Sequence, residues 1–242
     1  MGRWVLSSAQ FSALWTRTGQ DRIPYPFAVS SSVTTLAEYS LQQNTIREAF
    51  EGPEHDHLAA ALLLIAEPDI RIELAGFVGS APLRIIGAMD GHHGIVALQR
   101  PGQAPGTGGD VVMLGCEPYD VARQVLAQIP NTDPGKYRGV QFRSADAASS
   151  GGVLRSPTAE HPLRPVADLL DRPSIGEGMV KVVSGPRHDS VTRGGTSWRD
   201  IDADGRYIVF GTDTVTVQPG TSWDLLDVLN RLTGTLPAGQ AR

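Results

Sequence analysis

The chain has 242 residues, 40% of them hydrophobic and 19% charged, with a formal net charge of −5. That is ordinary globular composition, long enough for one large domain or two small ones, and the acidic balance without a long basic run argues against a nucleic-acid surface. Its single cysteine, Cys116, excludes an internal disulfide and a cysteine-based zinc cluster within one chain.

The longest apolar run, Leu58 to Ala66, is about half of what a bilayer span needs. Met1-Gly2-Arg3-Trp4 runs into polar, amphipathic sequence without the apolar stretch of an export signal, and Leu6 breaks the myristoylation pattern. A cytoplasmic protein without membrane insertion is expected. The 27 glycines and 17 prolines suit many short strands and turns rather than a helical bundle.

The first element expected is a helix from Ser8 to about Arg17, capped by Ser8, with Phe11, Leu14 and Trp15 in one stripe and Gly19 at its end. A proline-rich connector, Ile23-Pro24-Tyr25-Pro26-Phe27, follows. Thr35 to Phe50 reads as a second helix with Leu36, Tyr39, Gln43, Ile46 and Phe50 on one side, although its Ser/Thr-rich start is also compatible with an extended chain.

From Pro53 onward one order of elements is run through twice. In the first pass a helix opens at Pro53, carries Leu58, Leu62 and Ile65, and stops before Pro68. Strands are expected at Ile70 to Phe77, Leu83 to Met89, Ile95 to Gln99 and Val111 to Leu114, with a turn at Asp90-Gly91 and a Pro/Gly loop at 101–109. A helix then runs from Pro118 to Pro130. The second pass has a helix from about Pro162 to Pro173. Strands follow at Glu177 to Ser184, Ser197 to Ile201, Arg206 to Phe210 and Thr214 to Val217, with a turn at Asp204-Gly205. A closing helix is capped by Ser222 and carries Leu225, Val228, Leu229 and Leu232.

Asp-Gly is a strong hairpin signal because both residues tolerate positive φ. Between the passes, Lys136 to Arg143 reads as an extra strand. The expected fold class is α+β: two pseudo-twofold-related halves, each an antiparallel meander flanked by helices, forming a central sheet with helices packed on one face. The expected segments are 1–52 (N-terminal helical), 53–144 (first half), 145–161 (linker) and 162–242 (second half), one compact domain overall. A chance repetition of strand and helix runs in an ordinary α+β protein is the alternative.

Several constellations invite a catalytic or metal reading. His55 and His57 stand at i, i+2 on a helix start and diverge by about 200°, a poor chelate with no third ligand. Asp90, His92 and His93 could form an acid/base pair, but lie in a hairpin turn where polar residues need no catalytic explanation. Residues 102–109 resemble a phosphate loop, yet lead into a strand rather than a helix N-terminus and are followed by no lysine. Cys116 has no evident base beside it, and no Gly-x-Ser-x-Gly elbow occurs. Trp4, Trp15, Trp198 and Trp223 read as core or groove-edge aromatics. No catalytic residue, metal site or cofactor is expected.

Trp4-Val5-Leu6, the helix Phe11 to Trp15 and Ile-Pro-Tyr-Pro-Phe at 23–27 resemble the start of EspG proteins. So does the helix ending Leu62-Leu63-Leu64-Ile65-Ala66-Glu67-Pro68. Gly205-Arg206-Tyr207, then Val217-Gln218-Pro219 and a helix with Leu225, Leu226 and Leu229, resemble their ending. The resemblance is spread over nearly the whole chain, which looks shorter than typical members. It implies a cytosolic, non-enzymatic chaperone of a type VII (ESX) secretion system in actinobacteria. Such a chaperone covers the apolar tip of a secreted PE–PPE-like helical heterodimer and passes it to the export machinery. A monomer or weak homodimer with no nucleic-acid partner is expected.

A groove between a sheet and a helix pair can accept a helix tip without any reactive group. Met179, Lys181 and Val183 share one face of an expected strand and are the candidate lining positions, with Val180 and Val182 on the core side. Burial of both faces is the competing expectation. Rival functions are a small-molecule enzyme using Asp90, His92 and His93, and a scaffold that self-associates through a sheet edge.

Overall fold

The computed structural model describes residues 2–29, 31, 33–144 and 164–235; the expected linker 145–161 and the Pro162 helix start lie outside them. The elements in chain order are β1 (Arg3–Leu6), α1 (Ser8–Trp15), α2 (Leu36–Ala49), α3 (Asp56–Ala66), β2 (Ile70–Val78), β3 (Ala81–Met89), β4 (Gly94–Pro101), β5 (Gly108–Cys116) and α4 (Val121–Leu126). They continue with β6 (Val140–Arg143), α5 (Arg164–Leu170), β7 (Ser174–Ser184), β8 (Val191–Ile201), β9 (Gly205–Phe210), β10 (Thr214–Pro219) and α6 (Ser222–Thr233).

The described strands form one ten-stranded sheet in the order β1-β5-β4-β3-β2-β7-β8-β9-β10-β6, and every neighbouring pair is antiparallel. The chain is therefore α+β. Counted outward from the β2–β7 seam, each side has four meander strands and then the strand that precedes that meander in sequence. The connectivity thus repeats across the seam. Both edge strands are only four residues long, and short edges limit the template offered to another chain.

Side chains alternate between sheet faces with a period of two, and the core divides accordingly. Ile85 and Val96 join α4, α6 and the centre of β7 in one cluster: Val121, Val125, Leu225 and Leu229 cover Val180 and Val182. Their neighbours Ile86, Ile95 and Ala97 join α1 and α3 in a separate cluster with Phe11, Trp15, Leu62 and Ile65. A third, small cluster sets Leu169 of α5 against Ile201 and Tyr207. Helices therefore cover both faces, not one as the sequence suggested. A meander whose strands are apolar at consecutive positions, such as Ile85-Ile86, has two faces to bury.

Three local expectations are also corrected. The first helix is capped by Ser7 rather than Ser8: Ser7 is extended, its hydroxyl accepts from the Gln10 amide, and the Gln10 side chain accepts from the Ser7 amide. The last helix is capped in the same way by Thr221 with Asp224, not by Ser222. Arg3–Leu6, unassigned from sequence, pairs in register with Leu114–Val111.

Candidate partner-binding face

The β2–β7 seam pairs Gly76 with Gly178, and β8 sets Trp198 opposite Gly178. A Cβ on Gly178 would lie 2.2 Å from the Trp198 ring, and one on Gly76 3.0 Å from it. The two glycines therefore admit an indole that is itself in the α4/α6 core.

The opposite face of the same strands is covered at one end, where Arg71, Glu73 and Val183 are buried, and open at the other, where Phe77 and Met179 are half-exposed. On β2 it carries Arg71, Glu73, Ala75 and Phe77, in register with Val183, Lys181, Met179 and Glu177 of β7. Ala75, Phe77, Met179, Ser197 and Val209, with Leu170 of α5 at one side, line a shallow cavity of about 540 Å³. Phe77 is 50% exposed and Met179 53%. Among the described residues no helix lies over these two large apolar side chains, and exposed apolar surface of this kind is a candidate contact site.

The three residues singled out from sequence take different places on this face. Met179 lies on the open floor, Lys181 is half-buried, and Val183 is buried at 1% exposure. Their neighbours Val180 and Val182 are fully buried under α4 and α6, as the alternation required. Phe77, Ala75 and Val209 were missed, because pairing across the seam and across β8–β9 cannot be read from one strand.

Charge on this face is uneven. Arg71 Nε donates to Glu73 Oε1 at 2.7 Å, while Arg71 Nη1 is buried without a partner. Arg187, from the β7–β8 loop, donates to the Ile65 carbonyl at the end of α3, stacks 5.5 Å over Trp15, and lies 3.9 Å from the same Glu73 oxygen. Burial and the neighbouring Arg71 charge lower its pKa to about 10, so it stays a cation at neutral pH. At the other end of the floor, Arg199 pairs with Glu177 and donates to the Arg172 carbonyl at 3.1 Å.

The other constellations are brought near one another but not into working geometry. Asp90, His92, His93, Cys116 and Glu117 border a cavity of about 570 Å³ together with His57. Asp90 Oδ1 accepts from the backbone amides of His92 at 2.7 Å and His93 at 2.6 Å, closing the β3–β4 turn. Burial opposes its ionisation, but these two hydrogen bonds, together with the His93 side chain, leave the carboxyl below its usual pKa. It is an anion committed to its own turn.

Burial, followed by the Asp120 and Glu117 charges, pushes the Cys116 thiol up to about 11, so at neutral pH the nucleophilic thiolate is scarce. Residues 102–107 form the β4–β5 hairpin loop, stapled by Thr107 Oγ1 to Ala104 O at 2.6 Å. Among the described residues, no three His, Cys, Asp or Glu side chains are grouped to hold a metal ion.

The described residues thus combine a ten-stranded antiparallel sheet carrying a half-exposed apolar floor with a carboxylate bonded to its own turn and a thiol of raised pKa. A model of the EspG family matches residues 7–231. The chain belongs to the EspG family, a family of type VII secretion-associated chaperones rather than enzymes. No curated protein matches the chain.

Proposed function

We propose that this chain is a non-enzymatic cytosolic chaperone for a secreted helical-hairpin substrate, a PE–PPE-like heterodimer. It keeps that substrate soluble and delivers it to a type VII secretion system. The observation that carries this reading is the open floor over the β2–β7 seam, where Phe77 and Met179 stand half-exposed within a family of secretion chaperones. A helical tip with exposed apolar side chains aggregates unless it is covered, and burying such side chains contributes about 1.5–3 kcal/mol each.

Met179 and Phe77 supply the apolar contact, Lys181 a charge beside it, and buried Val183 fixes the strand beneath. The chaperone is a monomer or weak homodimer when unloaded. No helix among the described residues is long and apolar enough to cross a membrane. Co-expression with helical-hairpin pairs from its own genome tests the reading. One pair is expected to co-purify with the wild-type chain and to be lost from a Met179→Asp variant. Failure of every pair to co-purify contradicts it.

A further inference from the structure

Toward the covered end of this face, two largely buried guanidiniums share one carboxylate and a half-buried lysine stands opposite it. Arg71 and Arg187 both address Glu73 Oε1. Lys181 stands opposite Glu73 in the β2–β7 register, on the same face, with no partner for its ammonium among the described residues. Arg71 Nη1 adds an unpartnered donor in a side chain only 7% exposed. This end of the floor carries an excess of positive charge in a chain whose formal net charge is −5. The far end is neutral, because Arg199 and Glu177 neutralise each other. Lys181 lies two residues from Met179, about 7 Å farther along β7.

Resting on the chaperone reading, we propose that the occupant of this face is a helical tip carrying an Asp or Glu one turn from its apolar contact residue. That carboxylate pairs with Lys181 at the Arg71/Arg187 end of the floor. One helical turn rises about 5.4 Å and brings residues three or four apart onto one face. The flexible four-carbon stem of Lys181 spans the difference from the strand offset of roughly 7 Å. Charge complementarity of this kind sets register and rejects wrong partners more than it adds affinity. The apolar floor then supplies adhesion, and Lys181 selects acidic-flanked tips and orients them along β7. A tip with a basic flank meets Lys181, backed by the two largely buried guanidiniums, and is excluded.

The test is selection from a displayed library of two-helix hairpins with randomised tips against the full chain, counter-selected against Met179→Asp to retain only clones that use this face. Enriched clones are expected to carry Asp or Glu three or four positions from an apolar residue. Their affinity should fall roughly tenfold for Lys181→Glu and partly recover at high salt. Lys181→Met, which keeps the stem without the charge, should abolish the acidic preference while retaining binding; it serves as the readout if Lys181→Glu fails to fold. Face-specific clones with neutral or basic flanks, or an acidic preference unchanged by both variants, would overturn this proposal and leave the chaperone reading standing. A selection that returns no clone sensitive to Met179→Asp would overturn both.

Discussion

Two buried arginine sites in this sheet are built to opposite specifications. Arg206 is 0% exposed and satisfied in every direction. Its Nε and Nη2 grip both oxygens of Asp200 at 2.7 and 2.8 Å, Nη1 reaches Ser222 Oγ at 2.9 Å, and Nη2 also donates to the Pro130 carbonyl at 2.7 Å. It thereby ties the β8–β9 hairpin to the start of α6 and to the chain leaving α4. Arg71, on the other face, has one good partner and an idle Nη1, and shares its carboxylate with a second guanidinium. A closed charge pair of the first kind holds elements together. The second kind, a cluster with more cations than carboxylates beside an apolar floor, is left incomplete by the described residues, and on the proposed reading a partner completes it.

The comparison is broken most forcefully at the closed site. Removing one member of a buried pair leaves the other charge uncompensated, so Arg206→Ala or Asp200→Ala should cost about 3–5 kcal/mol in a urea or thermal melt. A loss below 1 kcal/mol would mean that the network is ornamental. Next in size is the seam: Gly178→Ala drives a methyl against the Trp198 ring, and such overpacking should cost about 1–3 kcal/mol by the same melts.

The open face should behave in the reverse sense. Phe77→Asp and Met179→Asp replace exposed side chains and should shift stability by no more than about 0.5 kcal/mol, while weakening partner binding at least tenfold in a titration.

A smaller effect is expected from Asp204. The Lys136 amide, Tyr207 hydroxyl and Arg172 guanidinium hold its carboxyl below its ordinary pKa. A depressed carboxylate contributes stability above its unfolded pKa and loses it as pH falls through the folded one. Asp204→Asn should therefore lower stability at neutral pH and flatten the acid limb of the stability–pH curve. Smallest of all, His92→Ala with His93→Ala should leave partner binding unchanged, since these rings border a different cavity.

Most of the architecture was legible in the sequence because period and punctuation agree there. Leu225, Val228, Leu229 and Leu232 followed by Gly234 give a helix with a left-handed glycine end, and that is α6. Asp90-Gly91 and Asp204-Gly205 mark the hairpins joining β3 to β4 and β8 to β9. What the sequence does not show are features that depend on partners far along the chain. Arg3–Leu6 becomes a strand because β5 offers it an edge. Leu36, placed on an apolar stripe, is 81% exposed at the start of α2, a helix that packs on α1 and whose buried residue is Gln43, farther along.

The candidate site was legible in part for the same reason. One strand's alternation separates Met179 from Val180. It cannot show that Phe77 crosses the seam to stand beside it, or that Val183 is roofed over while Met179 is not.

Hydrogen exchange of the chain, alone and loaded with its co-purifying helical partner, tests the central claim most directly. New protection is predicted across residues 75–79 and 175–181, on either side of the β2–β7 seam, with the β3–β4 turn at 90–93 unchanged. Protection confined to that turn or to α2, with the seam exchanging as in the free chain, would contradict the account.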